Sequence, residues 1–398
     1  MLPHQAVALV PVVFTQLSLA NLHNTTRLVF AHAMWRHGER TATVTFPNDP
    51  VQAVNWTMGE GGFGILTPKG MEQHYQLGKL LRRRYIDSGF LSRQYKGGEV
   101  EVHSTVLSRA LSSAQSNMAG MYSSSASEDL KDVAYPSKEW PGSLQPVPVR
   151  ILDNKMFAAA MDTGECPRMD QLLELVKQSI EYRRFAESPK VDWLLRELSR
   201  VTNFTVTLDL LVVIHEAAST EPDYFPSELA SWCPPELRKA IIEVYAEVED
   251  FSWGNRIYTP VNGHNIKFEI SRLVGGPFLR WIVDSAKKTF DGRSTHKYQV
   301  HSGHDQTMAG FLNAFGVKEL LYSGRPDYAS CILIEFRIDN IGKKYFELLW
   351  HDNSTNGFYS ITKLIPECSS ELCSFETIEM LARRFDVNIE KACPILLT

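Results

Sequence analysis

The stretch Arg27-Leu-Val-Phe-Ala-His-Ala-Met-Trp35 runs directly into Arg36-His37-Gly38-Glu39-Arg40. The first part is apolar and nearly continuous, which reads as a strand buried on both faces, as in a parallel sheet covered by helices. The second part is a polar turn. Polar residues just past the C-terminal end of such a strand stand where open α/β sheets bind ligands.

The pattern continues outward from there. Thr67-Pro68 opens a helix, with Thr as N-cap and Pro at the first helical position. Met71, Tyr75, Gly78, Leu81 and Tyr85 give it one packing face. Glu99 to Thr105 alternates like a strand, and Arg109 to Tyr122 reads as the helix after it. From Ser123 to Pro277 the texture changes. Ser- and Pro-rich loops alternate there with helical stretches at Met169 to Phe185, Val191 to Val201 and Pro235 to Tyr245. A strand at Lys297 to His301 resumes the sheet, and a helix from Gln306 to Phe315 stops at Gly316. Ala329 to Ile338 and Tyr345 to Trp350 form a hairpin. The expected fold is therefore α/β: a mostly parallel sheet with helices on both faces, built from residues 21–122 and 278–398. Residues 123–277 are an inserted helical cap.

The 398 residues are 44% hydrophobic and 22% charged, with a formal net charge of -5. That excludes a disordered chain and gives no basic surface for nucleic acid or a membrane. Any bound anion must be held by a few locally placed cations. Ala6 to Ala20 is a short apolar run ending in Ser18-Leu19-Ala20, the pattern of a signal peptide covering residues 1–20. Asn24, Asn55, Asn203 and Asn353 each head an Asn-X-Ser/Thr triplet, consistent with export. The six cysteines, an even number in an exported chain, suggest three disulfides. Their spacings lack the paired units of a zinc site.

Two segments carry chemistry. In Arg36-His37-Gly38-Glu39-Arg40 two guanidinium groups can grip a phosphate. The imidazole between them can attack phosphorus to give a phosphohistidine. In His301-Ser-Gly-His304-Asp305-Gln-Thr307, His304 can hydrogen-bond a phosphoryl oxygen. Asp305 can protonate the leaving oxygen if its carboxyl group is protonated, or serve only as a helix N-cap.

Together these segments resemble the histidine acid phosphatases of the prostatic and lysosomal type, within the phosphoglycerate-mutase-like superfamily. The resemblance also takes in Leu66-Thr67-Pro68-Lys-Gly70-Met-Glu-Gln-His74-Tyr75 with Leu77-Gly78, Leu273-Val-Gly275-Gly276-Pro277 and Tyr328-Ala-Ser-Cys331. It implies His37 as nucleophile, Asp305 as proton donor, and Arg36, Arg40 and His304 as phosphate ligands. No metal or other cofactor is implied, and the working pH is acid. It further implies a Cys166–Cys393 bridge and a short-loop Cys368–Cys373 bridge, which leaves Cys233 and Cys331 to each other. The chain departs from the family pattern at Ala42, usually Pro, and at His103. There the run His103-Ser104-Thr105-Val-Leu-Ser-Arg109 has His in place of the first Arg of the family motif. On this reading His103 faces substrate and weakens a phosphate pocket normally built on three guanidinium groups.

The leading expectation is a secreted or lysosomal acid phosphatase acting on small phosphate monoesters or phosphopeptides, with no nucleic-acid partner and no stable membrane anchor; a homodimer is compatible with it. Its competitors are a secreted pseudoenzyme that binds phosphorylated ligands, favoured by His103, a phosphomutase, and a phytase-like phosphatase.

Overall fold

The computed structural model describes residues 25–122, 145–152, 159, 166–317, 325–352 and 355–393. The signal-peptide segment and the triplets at Asn24 and Asn353 lie outside these residues. Asn55 and Asn203 are exposed.

The opening apolar stretch is β1, Thr26–Arg36, and its second half is buried throughout. It lies at the centre of an eight-stranded sheet of order β3-β2-β4-β1-β5-β6-β7, with β8 paired to β6. Here β2 is Val100–Ser104, β3 Val149–Ile151, β4 Tyr298–Gly303, β5 Cys331–Asp339, β6 Lys344–His351, β7 Tyr359–Ser360 and β8 Cys373–Ser374. β3, β2, β4 and β1 are parallel, as expected for β1 from its continuous apolar run. The sheet is mixed overall, because the hairpin β5–β6 extends it antiparallel from β1.

The helices of ten residues or more among the described residues are α1 (Pro68–Leu81), α2 (Ser108–Tyr122), α3 (Pro167–Gln178), α4 (Pro189–Thr202), α5 (Leu211–Thr220), α6 (Pro235–Ser252), α7 (Ile266–Phe290), α8 (Asp305–Ala314) and α9 (Phe375–Arg384). One sheet face packs Ala31, Trp35, Val102 and Val300 against Leu77 and Leu81 of α1 and Met118 of α2. The other packs Phe30, Met34 and Ile334 against Phe278 and Ile282 of α7, Phe311 of α8 and Ile378 of α9. A third cluster, built by Leu194 and Leu198 of α4, Ile214 of α5 and Ile241 and Val244 of α6, gives the inserted helices a core of their own. α7 runs unbroken from Ile266 through Pro277 to Phe290, so a boundary at Pro277 falls inside a helix that packs on the sheet.

The N-cap at Thr67 forms as read, its hydroxyl accepting from the Gly70 N–H at 3.1 Å. The packing face is rotated by one position: Gly70, His74, Leu77, Gly78 and Leu81 are buried, and Met71 is exposed. The cause is a close crossing with α2. A Cβ on Gly78 would lie 2.1 Å from the Asn117 carbonyl oxygen, and one on Gly120 would lie 2.1 Å from that of Tyr75. The line of contact therefore follows the glycines instead of the largest apolar side chains. The stretch Met169 to Phe185 is likewise two helices, broken where the Ser179 hydroxyl donates to the Val176 carbonyl and caps the next turn at Tyr182.

Cys166 is bonded to Cys393 and Cys368 to Cys373. The third expected bridge is absent, with Cys233 and Cys331 free and buried. Cys233 belongs to the core of the inserted helices and Cys331 to the sheet face covered by α1 and α2, so the two thiols sit in different packed clusters. Burial raises both thiol pKa values, Cys233 to about 12, which keeps them protonated and unreactive. Thiol labelling of denatured, unreduced protein should therefore modify Cys233 and Cys331 only; a peptide joining them would refute this pairing.

Candidate active site

Parallel pairing sets the site. β1 and β4 run side by side in a register that aligns Arg36 with Gly303. The His37 amide then donates to the Gly303 carbonyl at 2.9 Å. At Gly38 a Cβ would lie 2.3 Å from the Gly70 carbonyl oxygen, so only glycine lets this segment press onto the start of α1. The Ser113 hydroxyl of α2 accepts from the Gly38 N–H at 3.0 Å. The turn is thus clamped between both helices of one sheet face.

His37 is 1% exposed. Its Nδ1 lies 2.8 Å from the Gly38 carbonyl, which can only accept. Nδ1 therefore carries the proton and Nε2 the lone pair. Burial pushes this imidazole well below its ordinary pKa, reinforced by Arg36, Arg109, Arg40 and His304 in that order. This favours the neutral form, which a nitrogen nucleophile needs.

The positive charge around it is arranged by acids. Arg36 contacts the Pro326 carbonyl (2.7 Å) and Oδ2 of Asp305 (3.0 Å), and lies over the Tyr328 ring at 4.1 Å. Arg40 forms a two-pronged pair with Glu216 of α5 at 2.6 and 3.1 Å, and Glu216 also accepts from the Thr43 amide and hydroxyl. Although burial pushes Glu216 upward, Arg40 and Arg325 hold it well below the ordinary carboxylate range, so it is ionised. Truncating one member of such a buried pair costs about 3–5 kcal/mol, because the other charge is stranded. The Nε–H groups of Arg36 and Arg40 are both buried without an acceptor among the described residues. Buried donors in native proteins are almost always paired, so these two point to an anion that completes the site.

His304 precedes α8 and hydrogen-bonds the Thr105 hydroxyl at 2.9 Å. Asp305 opens the helix. Its Oδ2 accepts from Arg36 and from Arg325, each at 3.0 Å, while Oδ1 accepts from the Gln306 amide at 3.0 Å. Burial raises its pKa, but Arg36 and then Arg325 outweigh that and hold it well below the usual carboxylate range.

Arg36, His37, Arg40, His304 and Asp305 therefore converge; His103 does not. In register, His103 is level with His301 and Met34, before the strands end. Its Nε2 lies 3.3 Å from Glu101, and its ring meets Trp281 edge-on at 5.2 Å. The same motif places two other residues at the site: Thr105 against His304, and Arg109, buried in the first turn of α2, whose charge acts on His37. The third guanidinium is thus Arg109. Alternation along β2 was the available signal: Ser104 and Thr105 end the strand, and only a residue one helical turn further on reaches back to the β1 turn. Glu216, Arg325 and His215 carried no local signal, since each is defined by a partner distant in sequence; Tyr328 was marked only as part of the Tyr328-Ala-Ser-Cys331 motif.

The family model of the histidine phosphatase superfamily (branch 2) matches residues 27–351. The chain belongs to this family. Similar proteins include Putative acid phosphatase 10 of Caenorhabditis elegans, 29% identical over 89% of this chain and 90% of that protein. Human Lysosomal acid phosphatase is also 29% identical, over 86% of this chain and 74% of that protein. Bovine Prostatic acid phosphatase is 28% identical over 92% and 88%. Among solved structures, the phytase from Citrobacter braakii superposes with a TM-score of 0.60 over 91% of this chain and 98% of that one, at 14% identity. The Multiple Inositol Polyphosphate Phosphatase of Bifidobacterium longum gives 0.58 over 93% and 95%, at 12% identity. At such identities these structures speak for the fold alone.

Replacing Arg109→Ala should lower kcat/KM for an aryl phosphate by about 10²–10³-fold, the scale of losing one preorganised charge donor. His103→Ala and His103→Arg should each stay within a few-fold of the parent. Steady-state rates at acid pH decide between the two positions.

Proposed function

We propose that this histidine phosphatase is an acid phosphatase that hydrolyses phosphate monoesters through a phosphohistidine on His37. The observation that carries the reading is the neutral His37 imidazole, its Nδ1 bound to the Gly38 carbonyl, set among Arg36, Arg40, Arg109 and His304. Arg36, Arg40 and Arg109 bind the non-bridging oxygens, helped by His304. Nε2 of His37 attacks phosphorus as the ester P–O bond breaks, and the Asp305 carboxyl passes its proton to the departing oxygen. In the second half, the Asp305 carboxylate takes a proton from water as its oxygen attacks phosphorus. The P–N bond breaks and its electron pair returns to His37.

Asp305 is ionised in the free site, so donation requires the proton to be restored. A bound phosphate does this in part: it draws Arg36 away and sets negative charge beside the carboxyl group. Acid medium does the rest. The low pH range is thus a consequence of how Asp305 is held.

The helices α3 to α6 form the cap on this reading, while β3 of the same inserted stretch joins the sheet and α7 runs from the cap onto it. Among the described residues, the cap side chains beside Arg40 and Arg325 include Glu216, His215 and Tyr245. An impaired enzyme has less support, since His103 lies with Glu101 and Trp281. Two disulfides and the exposed triplets at Asn55 and Asn203 support a lysosomal or secreted protein. No described helix is long and apolar enough to cross a membrane.

Rapid mixing with a phosphorus-labelled ester, followed by an alkaline quench, should place acid-labile phosphate on His37. His37→Ala should abolish both label and turnover; normal turnover by that variant ends the proposal. Asp305→Asn should slow alkyl esters by about 10²–10⁴-fold, the worth of a positioned general acid, and activated aryl esters much less. Equal losses on both would make Asp305 a structural residue.

A further inference from the structure

Asp305 is gripped by two guanidinium groups, and only Arg36 is needed for phosphate. Arg325 enters from the segment before β5. Its Nη1 donates to Asp305 Oδ2 at 3.0 Å and its Nη2 to His215 Nδ1 at 2.9 Å. His215 lies on α5, and its Nε2 meets the Ser219 hydroxyl at 3.1 Å. Because Nδ1 must accept from a guanidinium, His215 is neutral, in keeping with a pKa that burial and Arg325 hold well below the ordinary value. The Arg325 guanidinium also lies 5.0 Å from the Tyr245 ring centroid, and that ring stacks on His215 at 4.0 Å. Glu216 stands 3.9 Å away. Arg325 is therefore anchored by His215 and Glu216 of α5 and Tyr245 of α6, contacts that hold it against Asp305 independently of Arg36.

We infer that Arg325 is a positioning residue that confines proton donation by Asp305 to acid pH, because its hold on Oδ2 persists when Arg36 turns to the phosphate. The inference rests on Asp305 being the proton donor. The charged and titratable groups acting on Asp305 are Arg36 and His37 at the end of β1, Arg325, and Glu249 of α6. Glu249 opposes Arg325: burial raises its pKa, and its proximity to Asp305 disfavours a second negative charge. Tyr245 and Glu216 stabilise the charge on Arg325. The sign is then fixed. An adjacent cation favours the carboxylate, so removing it lets the carboxyl keep its proton to higher pH. The limb on which activity falls with rising pH moves upward.

The experiment compares kcat against pH on glycerol 2-phosphate for the parent, Arg325→Met, Arg325→Gln and Arg325→Lys. Met preserves the packing on Tyr245, and Gln provides a second neutral variant should one of them fold poorly. Using one substrate throughout cancels its own titration. The neutral variants should shift the descending limb up by about one unit or more, the size expected for a lost opposite charge at this range. Arg325→Lys should return it towards the parent. On 4-nitrophenyl phosphate, whose leaving group needs little protonation, the shift should be smaller. A limb that stays in place or moves down, or a loss equal at every pH, makes Arg325 a structural strut and overturns the inference. Asp305→Asn, run alongside, separates the two failures. If it loses alkyl and aryl esters equally, the donor reading falls; if it spares aryl esters while the Arg325 limb stays fixed, only the inference about Arg325 falls.

Discussion

Parallel pairing of β1 with β4 in one register is the constraint on which the site depends. It puts Arg36 beside Gly303 and ties the His37 amide to the Gly303 carbonyl, so the turns after two strands far apart in sequence emerge side by side. A shift of one residue would send the side chains of β1 to opposite faces. It would exchange Trp35, packed against α1 and α2, for Met34, packed against α7 and α8. Register is therefore fixed by the two cores, and the catalytic geometry inherits it.

Burial of charge follows from that geometry. Arg36, Arg40, Arg109 and Asp305 are all nearly sealed from water, which is costly unless each is compensated. Glu216 compensates Arg40, and Asp305 compensates both Arg36 and Arg325. The site so assembled carries excess positive charge around a neutral imidazole, and the Nε–H groups of Arg36 and Arg40 lack acceptors among the described residues. A phosphate dianion answers both conditions. In this protein anion recognition is a local property, present in a chain whose net charge is -5.

The inserted helices do more than roof the pocket. Glu216 reaches Arg40, and the Tyr224 hydroxyl reaches Glu39, at 2.6 and 2.7 Å. Both contacts join the cap to the turn that carries His37. Through His215 and Tyr245 the same helices reach Arg325 and hence Asp305, the proposed proton donor. On the proposed mechanism, substrate preference and working pH are set by one part of the fold while the sheet keeps His37 in place.

The sequence by itself determined the sheet centre, the helix starts at Thr67 and Asp305, the hairpin and five converging residues, because each has a local cause. An apolar run buries a strand, a Thr-Pro pair starts a helix, and a polar turn at a strand end projects side chains outward. The acid-phosphatase motifs pointed to the two disulfides that do form. Only the tertiary structure decided the rest. The helix face at Leu77 and Gly78 was set by a glycine-lined crossing with α2, the fate of Cys233 and Cys331 by the separate cores they enter, and the third guanidinium by the reach of Arg109 from α2. His103 holds the motif position but lies with Glu101 and Trp281, since side-chain direction along a strand depends on where the strand ends and on what packs against each face. Such outcomes depend on partners hundreds of residues away, as with Arg325 and His215, and local sequence does not encode the distance between them.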